Sequence, residues 1–317
     1  MALDKTLERI DKTISRINTH PEYSANVHRE VSAALREDAA RHSQSIEERA
    51  VNGHPVEAYP SRNDTARSLM EGIDYLSKYG LDISSLAVLG NIVAPDKHPY
   101  RFFRRGTVLS GEFSPPDATN VPQEVKFLLD TLQNTSMHPV TRAAEAHLDL
   151  VRIHPYEDGN GRAARLVQCF TLQQRGYTAA IIPATDRDIY LTLIGKALHD
   201  RYGRVSSGLD PGDNDKVFYE FIASKVLGSA EYLDQELQKR RMYEITFQNV
   251  TNKGIVHNIA SALRRTPHEV SAKVCDGTHK KSWKIEAVGN ISKEQLNDFV
   301  GRFAPRYGIK YSVASSV

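Results

Sequence analysis

The stretch RIHPYEDGNGRAARLVQ, Arg152–Gln168, places a histidine before a proline, adjacent carboxylates and a Gly-Asn-Gly turn close to two arginines. Apolar residues at helical spacing predict helices over 141–153 and 162–174, so that the glycine-rich segment joins them. Because the residue before a proline is pushed out of the α region, the first helix should end at or just before His154. The imidazole then faces a loop, where a group with a pKa of about 6.5 can accept a proton from a hydroxyl.

The Gly-Asn-Gly turn predicts an anion site. Gly159, Asn160 and Gly161 permit unusual backbone angles where the second helix begins, so that several N–H groups can converge on a phosphate. Arg162 and Arg165 are three residues apart on the first turn of that helix, where two guanidinium groups can hold further phosphate oxygens. One phosphate hardly needs both arginines, and the pattern therefore predicts a polyphosphate ligand.

Asp158 precedes the turn and is suited to hold Mg²⁺, which takes one or two carboxylates and completes its shell with substrate phosphates and water. A calcium-binding EF-hand loop does not fit, because Arg162 occupies the fifth loop position and Cys169 the position of the bidentate glutamate. A base, a metal ligand and a phosphate clamp together predict transfer of a phosphorus-centred group to a hydroxyl. Taken singly, each feature has a structural explanation: a helix end, a turn or a solvated arginine face.

The composition indicates a globular protein of nearly balanced charge. The 317 residues favour two structural units, and 40% hydrophobic with 25% charged residues exclude a disordered or fibrous chain. The two cysteines, Cys169 and Cys275, are far apart in sequence, which favours a reducing compartment over a disulfide framework. The segment MALDKTLERIDK lacks the apolar run of a signal peptide, and no later segment is long enough to span a bilayer. We therefore expect a cytoplasmic protein with no membrane contact.

Periodicity predicts a mainly α fold with one hairpin and a small α+β module. The first eighty residues and the region from Gln123 to Lys239 show helical spacing. Residues 100–116, YRFFRRGTVLSGEFSPP, carry β-forming residues on both sides of Gly106 and predict a hairpin. After Arg241 the pattern alternates, and the order of elements predicts a ferredoxin-like β-α-β-β-α-β module. Its residues from Lys253 to Val317 include 11 Lys+Arg and 5 Asp+Glu, a net charge of +6.

From His154 to Arg165 the sequence HPYEDGNGRAAR resembles the signature of the Fic (filamentation induced by cAMP) family, His-Pro-Phe-x-Asp/Glu-Gly-Asn-Gly-Arg-x-x-Arg. Tyr156 in place of phenylalanine is the only departure. The resemblance extends over Ser68–Lys239 and implies a Fic-type helical bundle with a β-hairpin flap. It also implies a protein adenylyltransferase, since enzymes of this family move AMP from ATP to a Tyr, Ser or Thr hydroxyl of a protein.

We accordingly divide the chain into three regions. An N-terminal helical region spans residues 1–67, the Fic-type catalytic core spans 68–240, and the C-terminal α+β module spans 241–317.

The resemblance implies a role for each motif residue. His154 would deprotonate the target hydroxyl, and Asp158 would bind Mg²⁺, with ATP as the substrate. The residues that would bind the nucleotide are Gly159, Asn160 and Gly161 around the phosphates, Arg162 and Arg165 at the β and γ groups, and Tyr190 near the adenine. For Tyr190, ordinary helix packing is an equally good interpretation. The hairpin over 101–113 is similar to the family's flap, which aligns the backbone of the target protein by strand addition.

The upstream segment HSQSIEER resembles the family's inhibitory motif, Ser/Thr-x-x-x-Glu-Gly/Asn, with Ser43 and Glu47 in register. Glu48 stands where glycine or asparagine is expected. In the family this glutamate pairs with the second motif arginine, here Arg165, and blocks productive seating of the γ-phosphate. The resemblance thus implies an enzyme that inhibits itself, and the alternative is a charged surface helix.

Two other functions stay open at this level. A Fic-type fold can transfer a different phosphate-containing group or remove AMP, because the motif orients a diphosphate without specifying the donor. The other is a regulatory protein that senses nucleotide and contacts nucleic acid through the basic residues 253–317. The same module can serve partner contact or self-association in a homo-oligomer, and it carries no aromatic or glycine signature of an RNA-binding sheet.

Overall fold

The computed structural model describes residues 2–19, 37, 39–43, 46, 63–99, 101–108, 113–134, 136–203, 212–239, 241–250, 252–268, 270–276 and 282–315. Glu47 falls outside these ranges, as do most of residues 20–62. Within them, the prediction of a mainly α fold with a small antiparallel sheet is confirmed.

The helices whose bounds lie within the described residues before the sheet are α1 (Ala2–Thr19), α2 (Asn63–Tyr79), α3 (Ile83–Val93), α4 (Val121–Asn134), α5 (Pro139–Ile153), α6 (Asn160–Gln173), α7 (Arg187–Gly203) and α8 (Asp213–Lys239), and residues 39–43 are also helical. A short 3₁₀ turn, Ala184–Asp186, leads into α7. Helices α5 and α6 pack against each other and are buried on most of their surface, so their side chains form the centre of this helical region. Their connection, residues 154–159, is the predicted motif loop.

The bounds of the motif loop follow from local backbone preferences. Helix α5 ends at Ile153, as predicted, because His154 adopts a left-handed backbone (φ 52°, ψ 58°) directly before Pro155. Helix α6 begins at Asn160, after Gly159 with φ +83°. A Cβ at Gly159 would lie 2.9 Å from a methyl carbon of Val93, so the turn requires glycine for both its backbone angle and its space.

Helix α3 was not predicted from the sequence pattern. A capping box begins it, because Ser85 N–H donates to Asp82 (2.7 Å) while Asp82 N–H donates to the Ser85 hydroxyl (2.8 Å). Its apolar residues form no narrow stripe, and it contains Gly90, so helical periodicity gives no clear signal. The glycine is explained by packing: a Cβ there would lie 2.3 Å from a ring carbon of Tyr156.

The predicted hairpin over 101–113 is not seen as a pair of strands in the described residues. Residues 101–108 have no strand conformation, 109–112 lie outside the described residues, and Phe113 forms an isolated β-bridge. The backbone carbonyls of Gly106 and Pro116 accept hydrogen bonds from the side chain of Arg104. Within the described residues, the side chain of Arg104 holds this segment together through these two carbonyls.

The C-terminal module has the predicted β-α-β-β-α-β order. Its elements are β1 (Arg241–Gln248), α9 (Lys253–Leu263), β2 (Ser271–Asp276), β3 (Trp283–Gly289), α10 (Lys293–Phe303), a 3₁₀ turn (Ala304–Tyr307) and β4 (Lys310–Ser315). The strand order is β2-β3-β1-β4, and all neighbours are antiparallel. Ile245 lies opposite Ile285 and Val313, so one sheet face is apolar and packs against the two helices. A capping box of Ser292 and Gln295 opens α10.

The chain divides into two compact units. One contains Met1–Arg16 and His28–Glu231, and the other contains Ile17–Val27 and Tyr232–Val317. The division between Glu231 and Tyr232 falls within α8. Among the described helices, none combines the length and apolar composition needed to cross a bilayer.

Candidate active site

His154 lies at the carboxyl end of α5, as predicted, and is partly buried. Its Nδ1 is 3.2 Å from the carbonyl oxygen of Val151, which suits a protonated Nδ1 and leaves Nε2 as the proton acceptor. Burial lowers the pKa of the imidazole below its ordinary value, and the nearby positive charge of Arg104 lowers it further. The side chain is therefore neutral at neutral pH, the form that a general base requires.

Arg104 joins the segment before α4 to the motif loop. Its Nε donates to the carbonyl oxygen of His154 (2.7 Å), and its two terminal nitrogens donate to the carbonyls of Gly106 (2.8 Å) and Pro116 (2.5 Å). Its own N–H donates to the carbonyl of Pro155 (2.8 Å). With 2% exposure, this arginine is a buried structural cation whose charge is distributed over main-chain oxygens.

The motif loop is closed by Asn160 and Tyr156. The amide oxygen of Asn160 accepts from Tyr156 N–H (3.0 Å), and its NH₂ group donates to the Tyr156 carbonyl (2.9 Å). The Tyr156 hydroxyl donates to the carbonyl of Leu86 on α3 (2.6 Å). The side chain of Asn160 thus holds the loop in shape, and the backbone N–H groups of Asn160, Gly161 and Arg162 lie at the amino end of α6, where N–H groups can face an anion.

A second pair fixes the other side of the loop. His98 is fully buried, and its Nδ1 is hydrogen-bonded to the Glu157 carboxylate. Its Nε2 lies 2.9 Å from the carbonyl of Phe102. Glu157, the variable position of the motif, therefore connects the loop to residues 98–102.

Asp158 and Arg162 form an ion pair at the entrance of α6. One carboxylate oxygen of Asp158 accepts from Gly159 N–H (2.7 Å), and the other is 3.3 Å from an Arg162 terminal nitrogen. The second terminal nitrogen of Arg162 donates to the carbonyl of Val93 (2.6 Å). The Asp158 side chain is 49% exposed, so its carboxylate is accessible to a further ligand.

Arg165 is buried beneath the first turn of α6, with 6% exposure. Its Nε donates to the Ser43 hydroxyl (2.7 Å), and one terminal nitrogen donates to the Ser43 carbonyl (3.1 Å). The other terminal nitrogen donates to the Tyr190 hydroxyl (3.1 Å). Of the two predicted inhibitory residues, Ser43 is therefore in contact with the predicted arginine, whereas Glu47 lies outside the described residues.

Comparison with known proteins identifies the segment that carries this loop. A model of the Fic/DOC family matches residues 82–172, which include α3, α5, the motif loop and all but the last residue of α6. The chain carries a Fic domain. Curated relatives are the proteins named Protein adenylyltransferase Fic, from Drosophila mojavensis at 43% identity over 91 residues and from Drosophila melanogaster at 37% over 126 residues.

The matched part is a minor share of these relatives. The first alignment covers 28% of this chain and 18% of the relative, and the second covers 39% and 25%. This chain therefore spans about a fifth to a quarter of the length of the curated relatives that it matches.

Solved structures share the fold at low identity. A Fic-domain-containing signalling protein from Bacteroides thetaiotaomicron aligns with a TM-score of 0.58 and 21% identity, over 73% of this chain and 98% of that one. A Fic family protein from Desulfovibrio desulfuricans aligns with a TM-score of 0.54 and 18% identity, over 95% of this chain and 84% of that one.

Tyr190, predicted to lie near the adenine, is on α7, outside the matched residues 82–172. Tyr190 is 1% exposed and packs against Phe218 and Phe221, with its hydroxyl between Arg165 and His147. Contact between its ring and a base would require these neighbours to move, so the adenine role stays a prediction.

Three residues of the site region were missed from the sequence: Arg104, His98 and His147. Each is buried and bonded to groups distant in sequence, so no local spacing identifies it. Two local signals were available for His98 and Arg104. His98 precedes Pro99, as His154 precedes Pro155 in the motif, and Arg104 follows two aromatic residues in the segment FFRR.

Proposed function

We propose that this chain is a protein adenylyltransferase that transfers AMP from ATP to the hydroxyl of a Tyr, Ser or Thr side chain of a target protein. The observation that carries the proposal is the motif loop. It has a partly buried imidazole of lowered pKa at one end and the amino end of α6, with two arginines, at the other. The 43% identity to proteins named as adenylyltransferases supports the same activity here.

The chemistry assigned to the loop is a displacement at phosphorus. Nε2 of His154 accepts the proton of the target hydroxyl while that oxygen forms a bond to the α-phosphorus of ATP. The bond from the α-phosphorus to its bridging oxygen breaks, and pyrophosphate leaves with the electron pair. The amino end of α6 and the guanidinium groups of Arg162 and Arg165 offset the negative charge of the phosphates.

Asp158 is the residue that fits Mg²⁺. Its half-exposed carboxylate accepts from Gly159 N–H through one oxygen, and the second oxygen is 3.3 Å from a terminal nitrogen of Arg162. Mg²⁺ bound there would neutralise phosphate charge. Among the described residues no cluster of three or more acidic, His or Cys side chains is present, so the rest of the coordination shell would come from ATP and water.

We further propose that the region containing Ser43 and Glu47 inhibits the enzyme. The support is that Arg165, assigned to the γ-phosphate, donates two hydrogen bonds to Ser43. The carbonyl of Ile46 also accepts a hydrogen bond from Arg187 Nε (2.9 Å), so Ser43 contacts α6 and Ile46 contacts the start of α7. Glu47 is the next residue after Ile46 in the sequence, and we assign its carboxylate the role of pairing with the Arg165 guanidinium.

The target protein is assigned to the flap, residues 101–113. Arg104 fixes this segment to the backbone of His154, so a peptide that adds to its edge is brought beside the catalytic base.

The proposal is tested with the purified full chain, Mg²⁺ and ATP labelled on the α-phosphate. We expect label to be transferred to protein by the wild type and not by His154→Ala, with ATP binding preserved in both because His154 holds no phosphate. His199→Ala, at an exposed histidine of α7, is the control that should transfer label normally. Parallel reactions with UTP and GTP identify the donor, and label transfer by His154→Ala at the wild-type rate would contradict the assignment.

A further inference from the structure

A group of buried side chains behind Arg165 connects three helices. The Tyr190 hydroxyl, which accepts from Arg165, is 2.9 Å from His147 Nε2, and His147 Nδ1 is 2.7 Å from the amide oxygen of Gln168. We call Arg165, Tyr190, His147 and Gln168 the Arg165 network. Arg165 and Gln168 lie on α6, Tyr190 on α7 and His147 on α5, so the network starts and ends on the same helix.

The direction of the hydrogen bonds is set by the arginine. A guanidinium can only donate, so the Tyr190 oxygen accepts from Arg165, and its own hydrogen can be donated to His147 Nε2. In that arrangement Nε2 is unprotonated, and His147 donates from Nδ1 to the amide oxygen of Gln168.

The surroundings of His147 favour this arrangement. It is fully buried, and Phe218 packs edge-on against its ring at 5.3 Å between ring centres. Burial, together with the positive charge of Arg165, lowers its pKa to about 3, so the ring stays neutral and able to accept at Nε2. Arg165 also lies over the face of the Tyr190 ring, 5.8 Å from its centre.

We propose that His147 and Tyr190 are positioning residues that hold the Arg165 guanidinium in the orientation needed for the terminal phosphates of ATP. An arginine side chain has several rotatable bonds, so it loses conformational entropy when it binds a ligand. The hydrogen bond from its terminal nitrogen to Tyr190 restricts these rotations before the nucleotide binds. Ser43 contacts the same guanidinium through other nitrogens, so the network holds Arg165 from the core side. This inference rests on the proposed function, in which Arg165 binds phosphate.

The test compares ATP with AMP, because AMP lacks the phosphates assigned to Arg165. Dissociation constants for both nucleotides are measured by calorimetry on the full chain carrying Glu47→Gly, which releases Arg165 under the proposed regulation, alone and combined with Arg165→Ala, Tyr190→Phe, His147→Leu or His147→Gln. The glutamine amide oxygen can replace Nε2 as the acceptor for Tyr190. Tyr219→Phe removes a buried hydroxyl bonded to Glu145 instead of Arg165 and serves as the matched control.

We expect Tyr190→Phe and His147→Leu to weaken ATP binding about fivefold to tenfold, the size of one lost hydrogen bond, and to change AMP binding by less than about twofold. His147→Gln should recover most of the loss, and Tyr219→Phe should leave the ratio of the two constants unchanged. Equal weakening of ATP and AMP would overturn the inference, because it indicates a structural role alone.

The inference and the proposed function fail in different ways. If Arg165→Ala selectively weakens ATP binding but Tyr190→Phe and His147→Leu do not, the inference is wrong and the phosphate role of Arg165 stands. If Arg165→Ala itself leaves the ratio unchanged, the phosphate role is wrong and the inference falls with it. Should His147→Leu fail to fold, Tyr190→Phe, which keeps the ring, decides the question.

Discussion

The side chain of Arg104 and the backbone of His154 are joined by a hydrogen bond of 2.7 Å, from Nε to the carbonyl oxygen. In the described part of the chain, His154 and Asn249 are the residues other than glycine with a positive φ, so the carbonyl of His154 points away from the direction of the carbonyls within α5. The same guanidinium holds Gly106 and Pro116. One buried cation therefore sets both the backbone of the proposed base and the position of the proposed flap.

Arg104→Lys should lower kcat about tenfold or more, because an ammonium on a flexible stem cannot hold three carbonyls in fixed directions. Target binding should weaken as well, since the flap loses its anchor. The exposed neighbour Arg105 provides the control, and Arg105→Lys should leave kcat within about twofold. Steady-state kinetics on both variants, with circular dichroism to check folding, measure the difference. Equal kinetics in the two variants would remove Arg104 from the mechanism.

The pH profile of AMP transfer should report His154. Since burial and the charge of Arg104 lower its pKa, the neutral base persists below the ordinary value, and kcat should fall with acid only at a midpoint below about 6.5. Arg104→Gln removes the positive charge and should move the midpoint upward. A wild-type midpoint above 7 would contradict the lowered pKa.

The fold and site could be predicted where a local pattern and a local cause coincide. The end of α5 before Pro155, the glycine turn and the capping box of α10 are of this kind, as is the alternation of β1. Helix α3 could not be predicted, because its glycine is required by the ring of Tyr156, about seventy residues away in sequence. The burial of Arg104 and of Tyr190 likewise depends on carbonyls and side chains from remote segments. The spacing of residues along the sequence does not predict these contacts, because they form between segments that only the fold brings together.

Gly159→Ala should destabilise the protein more than Gly176→Ala. Both glycines have a positive φ, of 83° and 77°, so both substitutions carry a backbone cost of about 1 kcal/mol. A Cβ at Gly159 also lies 2.9 Å from Val93 and 3.0 Å from Ala94, which adds about 1–3 kcal/mol, whereas nothing lies within 4 Å at Gly176. Denaturant unfolding of the two variants measures this difference. Equal losses of stability would show that the loop accommodates the methyl group.

The stability of the wild type should fall in mild acid because of His147. Its pKa is about 3 in the folded protein and about 6.5 when unfolded, so the unfolded state binds the proton more strongly. The contribution of neutral His147 to the free energy of unfolding is complete above pH 6.5 and decreases as the pH falls toward 3. Between pH 6.5 and 5 the loss is up to about 2 kcal/mol. Thermal unfolding at several pH values should show a shallower dependence for His147→Gln than for the wild type. Parallel curves would mean that His147 is protonated without cost in the folded state.

Glu47→Gly should raise AMP transfer, visible first as self-modification. The physical reason starts from Arg165, which is bound by Ser43 in this structure. If Glu47 occupies the same guanidinium, ATP binds with its γ-phosphate displaced and its α-phosphorus out of line with the incoming hydroxyl. A displacement of about 1 Å costs on the order of a hundredfold in rate, which sets the scale of the activation.

Two matched variants determine whether the activation acts through Arg165. Glu48→Gly alters the adjacent glutamate, one residue out of register, and should leave transfer at the wild-type level. Glu47→Gly combined with Arg165→Ala should be inactive, because release helps only when the arginine is present to bind phosphate. Transfer rates and ATP binding are measured for all four proteins under the same conditions. Equal, low transfer by the wild type and Glu47→Gly, with ATP bound by both, would show that Glu47 does not inhibit the enzyme and would leave Ser43 with a packing role against α6.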